Sequence, residues 1–348
     1  MNGAAPAGRR RPTSYRTGLE YIACEGVVVE YRNLGRSGLK VSVIALGNWL
    51  THGGYVAEEN AATCVHRAYD QGINFFDTAN AYMRGAAEEV LGRALSQYRR
   101  SSYVLATKLF WPMDGGPNDR GLSRKHVMEQ CHASLKRLGV DYIDLYQCHR
   151  FDPTTPIDET LRAIDDLITQ GKVLYAGISE WTALQIAGAV AFAREHNIDQ
   201  IVSSQPQYSM LYRTIEREVI PLCEREGIGQ VVFSPLAQGV LAGRYRPGQP
   251  PPADSRAAAK DAGNFVRDWL RDDVLEGVEK LRPIAADLHL SLSQLALAWV
   301  LRQPNLSAAI IGASRPEQID DNVGAAGVKL DDATLRAIDD AVGAVAQR

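Results

Sequence analysis

From residue 30 onward, short β-branched apolar runs alternate with amphipathic stretches. The runs Val41–Leu46, Asn74–Thr78, Tyr103–Thr107, Tyr142–Gln147, Val173–Ile178, Ile201–Ser204, Gln230–Phe233 and Ala308–Ile311 predict eight strands. The 3.6-residue period predicts helices over about 58–71, 86–98, 123–139, 156–171, 182–197, 213–227, 272–288 and 291–303. Two more, at about 316–325 and 331–345, follow the eighth strand. Ser123 and Thr182 stand where N-caps belong, and Gly72, Gly139, Gly171 and Gly227 where helices should stop. Strands separated by helices call for a parallel sheet covered by helices. An open doubly wound sheet is the alternative, but a count of eight favours a closed (β/α)8 barrel of the TIM type.

Three regions depart from this rhythm. Tyr31–Leu34 and Leu39–Val41, joined by Gly35-Arg-Ser-Gly38, predict an N-terminal β-hairpin. Met1–Gly26 has no apolar period and reads as a disordered tail, with initiation at a valine among Val27–Val29 as an alternative start. The expected organisation is therefore a tail over 1–28 and one barrel domain over 29–348. The Pro-rich stretch Arg244–Phe265 is too long for an ordinary connection and is expected to be a functional loop.

Composition narrows the function. Of 348 residues, 45% are hydrophobic and 23% charged, the balance of a soluble globular protein. A formal net charge of −3 lacks the footprint of a nucleic-acid partner, and the only basic cluster is Arg9, Arg10, Arg11 and Arg16. Five scattered cysteines form no C-x-x-C, so neither a disulfide framework nor a zinc site is expected. No H-x-x-x-H appears, and no metal site is predicted. The longest apolar run, Leu295–Leu301, falls far short of the roughly 20 residues of a membrane span. Arg9-Arg10 is not followed by an apolar signal segment, so a cytoplasmic location is expected.

In a barrel the chemistry lies at the C-terminal strand ends. There the chain places Gly47-Asn48-Trp49, Asp77 with Tyr82 five residues on, Lys108, His149-Arg150, Ser179-Glu180, Gln205, Ser234-Pro235 and Gly312-Ala313-Ser314-Arg315. A lysine beside a phenol favours phenolate, and an aspartate holds the lysine charged. Such a tyrosine can protonate a carbonyl oxygen as hydride reaches the carbon, with an imidazole bonded to the same oxygen. Lys108 could equally be a Schiff-base lysine of an aldolase-type barrel. Taken singly, Asp77 reads as a cap, Tyr82 as a surface aromatic and His149 as a structural histidine.

No G-x-G-x-x-G or G-x-x-x-x-G-K-[ST] is present. The barrel's usual phosphate loops correspond to Ser234–Gly239 and Gly312–Glu317, the second opening a helix at Pro316. Arg315 and Arg256 could pair a phosphate there.

From about residue 30 to the end, the chain resembles the aldo-keto reductase superfamily. The resemblance rests on Leu46-Gly-Asn-Trp49, Asn74-Phe-Phe-Asp-Thr-Ala-Asn-Ala-Tyr82, Ala106-Thr-Lys108, Leu135–Leu145, Gly177-Ile-Ser179, Phe233–Gly239 and Gly312-Ala-Ser314. Gln205-x-x-Tyr208 and Glu317–Asn322 look most like the branch of voltage-gated potassium channel β subunits and their bacterial relatives. The resemblance implies an NADP-dependent oxidoreductase that reduces a small carbonyl substrate with NADPH, with Asp77, Tyr82, Lys108 and His149 as its catalytic tetrad and Tyr82 as the acid. It also implies a cofactor site. Ser179 and Gln205 would hold the carboxamide and Phe233 would stack on the ring. Gly47, Asn48, Trp49, Asp77, Ser234, Pro235, Leu236, Ala237, Gly239, Leu241, Gly243, Gly312, Ser314, Gln318, Asp321 and Asn322 would line the remainder. Arg244, Arg256 and Arg315 are its candidates for the 2′-phosphate. Homo-oligomers from monomer to octamer fit the resemblance. Channel subunits usually carry Asn where His149 stands, which favours catalysis over a purely regulatory role; an NADP(H)-binding regulatory subunit is the alternative.

Overall fold

The predicted strand runs close on themselves. In the computed structural model, which describes residues 20–24, 27–49, 58–253, 255–258 and 263–348, eight parallel strands form one barrel. They are β4 (Ile44–Gly47), β5 (Phe75–Asp77), β6 (Val104–Leu109), β7 (Ile143–Cys148), β8 (Val173–Ser179), β9 (Ile201–Gln205), β10 (Gly229–Val232) and β11 (Leu306–Ile311). Each pairs with its sequence neighbour; β11 pairs with β4 to close the ring. Three preceding strands, β1 (Glu20–Cys24), β2 (Val27–Asn33) and β3 (Lys40–Ser42), make a separate antiparallel sheet.

The helices α1 (Glu58–Asp70), α2 (Ala86–Leu95), α3 (Arg124–Leu138), α4 (Ile157–Thr169), α5 (Ala183–His196) and α6 (Val219–Glu226) follow β4 to β9 in turn. α7 (Asp272–Asp287) and α8 (Leu292–Leu301) lie between β10 and β11. The two extra helices are α9 (Pro316–Val323), packed beside α1 and α8, and α10 (Asp332–Val342), packed on α7. Ser123 accepts from His126 N to cap α3, and Thr182 forms a reciprocal capping box with Gln185 at α5. Gly139 and Gly227 end α3 and α6 in the left-handed region, with φ of 67° and 72°.

Three expectations change. The run Val41–Leu46 is two strands, because Val43 serves both sheets: its N–H donates to Glu30 O and its carbonyl accepts from Ala309 N. The helix expected from 213 begins at Val219, after a short 3-10 turn over Thr214–Glu216. β1 and the first two residues of β2 fall inside the 1–28 stretch expected to be a tail, because their backbones pair from Glu20↔Tyr31 to Cys24↔Val27; the rest of that stretch, 1–19 and 25–26, lies outside the described residues.

Leu34 and Val41, beside the hairpin turn, plug one end of the barrel. They pack with Ala45, Phe75, Val104, Ala106, Leu145, Val231, Ala308 and Ile310 inside the ring. Side chains alternate along a strand. On each barrel strand, the inward residue two positions beyond the last of these therefore opens at the other end. No single helix among the described residues is long and apolar enough to cross a membrane.

Candidate active site

That parity builds the site. Inward position 45 leads to Gly47, 75 to Asp77, 106 to Lys108, 145 to Gln147 and His149, 231 to Phe233, and 310 to Gly312. On β8 and β9 the same spacing leads from Gly177 to Ser179 and from Ser203 to Gln205. A cleft of about 760 Å³ lies over these ends.

Its floor is an ionic network. Lys108, fully buried, donates to Asp77 Oδ1, to Thr78 O at 2.8 Å and to the Tyr82 hydroxyl at 3.4 Å. Asp77 Oδ2 accepts from Gln205 Nε2 at 2.9 Å and Gln147 Nε2 at 3.2 Å. The carboxylate is thus fixed by two amides and an ammonium. Burial opposes the Lys108 charge, but Asp77 and Tyr82 together carry its pKa above the ordinary value. Its three N–H groups are all engaged, so it presents no lone pair for Schiff-base chemistry.

Tyr82 is placed by backbone strain. It opens a 3-10 turn in which Met83 and Arg84 both lie in the left-handed region, with φ of 47° and 54°, each costing about 1 kcal/mol or more. Its hydroxyl points inward to Lys108, and its ring meets the His149 ring edge-on at 5.6 Å between centroids. Burial raises the phenol pKa and outweighs the lowering by Lys108. This reverses the net shift that the lysine alone suggests, and Tyr82 is a protonated donor at neutral pH. His149 is held well below its ordinary pKa by burial, then by Lys108 and Arg150, and is neutral there.

Most of the other expected residues line the same cleft. Trp49, Ser179, Gln205 and Phe233 surround the tetrad. Ser234, Pro235, Leu236 and Gly239 come from the loop after β10, and Arg244 and Arg256 from the long segment beyond it. Gly312, Ser314, Gln318, Asp321 and Asn322 come from the turn into α9 and from α9 itself. Ser179 Oγ donates to Gln205 O at 2.8 Å, and Gln318 Oε1 accepts from Ser314 N at 2.8 Å. Ser234, Ala237, Gln238 and Gly239 all have positive φ (54°, 45°, 60° and 94°), so their backbone curls tightly at the cleft edge.

Five residues of the expected cofactor site do not line it. Asn48 turns away to donate to Ala87 O at 2.8 Å. Ala237 and Leu241 are buried in the apolar core. Gly243 faces α7 and α8: a Cβ there would meet Leu292 Cδ1 at 2.5 Å, and its carbonyl accepts from Arg282. Arg315 is exposed at the start of α9, outside the cleft. Lys108, of the expected catalytic set, is likewise buried out of contact with the cleft and reaches it only by its hydrogen bond to the Tyr82 hydroxyl.

The cleft also has walls that were given no role from the sequence. Trp111 and Pro112, just past β6, Gln207 after β9, Gln238, Tyr245 and Ser293 all line it, with Arg150 and Glu180 at the ends of β7 and β8. Position makes Trp111 a candidate, three residues beyond Lys108 in a strand-end loop, but does not give the direction it faces. The buried atoms His149 Nδ1 and Gln238 Oε1 have no partner in the protein. Among the described residues no three His, Cys, Asp or Glu side chains gather as a metal ion would require.

Residues 43–342 match the Aldo/keto reductase family. A "Probable voltage-gated potassium channel subunit beta" of Arabidopsis thaliana is 45% identical over 303 residues, 86% of this chain and 92% of that protein. Its counterpart by name in Oryza sativa subsp. japonica is also 45% identical, over 298 residues, 85% of this chain and 90% of that protein. The match spans the barrel from before β4 to the end of α10, so the strand-end residues above belong to the matched region. The chain belongs to the aldo/keto reductase family.

Proposed function

We propose that the protein reduces aldehydes and ketones to alcohols with NADPH, Tyr82 being the general acid. The observation that carries this is the chain Asp77–Lys108–Tyr82, buried at one end and opening its phenol to the cleft beside His149. The cleft fits a dinucleotide in volume and in chemistry. Phe233 offers a ring face, Gln238 Oε1 is a buried acceptor in need of a donor, and Arg244 and Arg256 add positive charge where phosphates would lie. When bound, the nicotinamide supplies the hydride.

The protein's own groups handle the proton. The Tyr82 hydroxyl gives its proton to the carbonyl oxygen as charge builds there. The phenolate left behind faces the Lys108 ammonium, which Asp77 keeps charged. Neutral His149 can bond the same oxygen without adding charge to the site. In the reverse direction the phenolate takes the alcohol proton.

The names of the plant relatives favour a second reading, a subunit that holds the cofactor and regulates a channel. The complete Asp77, Tyr82, Lys108 and His149 set supports the enzyme. A panel of aldehydes, dicarbonyls and quinones with NADPH separates the two. Turnover that Lys108→Met abolishes supports reduction; a tight NADPH complex that turns over nothing supports the regulatory subunit.

A further inference from the structure

Among the described residues, Arg150 is the one arginine lining the cleft that has neither an acidic partner nor an assignment. The carboxylates there are engaged elsewhere: Asp77 by Lys108, Gln147 and Gln205, Glu180 by Gln207 N at 2.6 Å, and Asp321 by Ser291 Oγ at 3.0 Å. Among the described residues, no acidic group pairs with Arg150. Its bond to a carbonyl, from Nη1 to His149 O at 2.5 Å, leaves the rest of its donor fork unused. A guanidinium carries five N–H donors shaped for a carboxylate.

Its place is equally specific. Arg150 follows His149 at the end of β7 and lies over the Trp111 ring, 5.6 Å from its centroid. It is close enough to lower the Tyr82 phenol and His149 imidazole pKa values through its charge. Around the ring of strands, β7 lies three steps from β10 and four from β11, whose loops carry Arg244, Ser234 and Ser314. Arg150 is thus across the barrel from the candidate phosphate end. Trp111 stays 40% exposed as one wall of this side, an apolar surface that a flat ligand would cover.

We infer that Arg150 and Trp111 form a substrate subsite for the carboxylate and flat apolar body of an anionic carbonyl compound, such as an aromatic aldehyde acid. The inference rests on the carbonyl-reductase reading above. The carboxylate takes the free fork of Arg150, the body stacks on Trp111, and the carbonyl is left facing Tyr82 and His149.

Two aldehydes matched in all but charge, 3-carboxybenzaldehyde and its methyl ester, test this. The wild type should favour the carboxylate in kcat/KM by about tenfold. Arg150→Met should lower the carboxylate's kcat/KM about tenfold more than the ester's, chiefly through KM, and Arg150→Lys should recover part of the preference. An arginine with only a structural role would lower both alike. Benzoate titrated against the NADP+-loaded protein, read by tryptophan fluorescence, gives a readout that needs no turnover. Saturable quenching in the wild type and none in Arg150→Met is expected. Equal losses for both aldehydes, or equal benzoate binding by the two proteins, would overturn the subsite. Benzoate binding that depends on Arg150, without turnover of either aldehyde, would uphold it and count against carbonyl reduction instead.

Discussion

Lys108 Nζ stands 3.4 Å from the Tyr82 hydroxyl while ion-paired to Asp77 in a fully buried position. The phenol is therefore joined to a charge that the fold cannot release to water. That arrangement is costly to leave incomplete. Removing one partner of a buried pair strands the other and typically costs about 3–5 kcal/mol. Asp77→Asn and Lys108→Met should each destabilise on that scale. The double variant should lose clearly less than the two losses added together, which urea unfolding of all four proteins will show.

His149 makes stability depend on pH. Its folded pKa lies well below the ordinary 6.5, so between those values the unfolded chain binds more protons. Stability from this group is complete above about pH 6.5 and is lost as pH falls toward the folded value, at a slope approaching about 1.4 kcal/mol per pH unit. The His149→Asn variant should lose less stability than wild type between pH 7 and 5. Parallel curves of denaturation midpoint against pH would speak against a buried neutral imidazole.

Gly177 protects the network from behind. A Cβ there would meet Ser203 Oγ at 2.7 Å and Gln147 Cγ at 2.8 Å. Gly177→Ala must displace Gln147, one of the two amides on Asp77. A loss of about 1–3 kcal/mol is expected from overpacking, together with a fall in kcat larger than any change in NADPH affinity. Paired stability and kinetic measurements check this.

Cofactor preference should follow the cleft rather than mere nearness to a phosphate loop. Arg244→Ala with Arg256→Ala should weaken NADPH binding by about tenfold or more while changing NADH much less. Arg315→Ala, altering an exposed side chain outside the cleft, should leave the preference intact. Fluorescence titration with both cofactors distinguishes these outcomes.

Arg315 also marks the limit of what a sequence shows. Apolar periodicity located all eight barrel strands and with them Asp77, Lys108 and His149 at their ends, because strand alternation and helix spacing are local, while the naming of these residues with Tyr82 as a tetrad came from the resemblance. Direction around a turn is not local. Arg256 and Arg315 look equivalent beside their loops, yet only Arg256 turns into the cleft. Asn48 lies between two lining residues, Gly47 and Trp49, and points backward to Ala87. Val43 hides the break between two sheets, because a β-branched residue suits either. Trp111 and Pro112 lie in an irregular loop with no period to reveal which way they face. The net pKa of Tyr82 was likewise out of reach, since it depends on burial that only the folded chain defines.

The central claim is that the Tyr82 phenol delivers the proton of carbonyl reduction. The most direct measurement compares wild type with Tyr82→Phe for aldehyde-dependent NADPH oxidation, with NADPH affinity measured separately by fluorescence. A loss of about 10²- to 10⁴-fold in turnover is expected, with cofactor affinity nearly unchanged because the deleted hydroxyl bonds Lys108 and faces the carbonyl. Turnover by Tyr82→Phe within a few-fold of wild type would contradict the account.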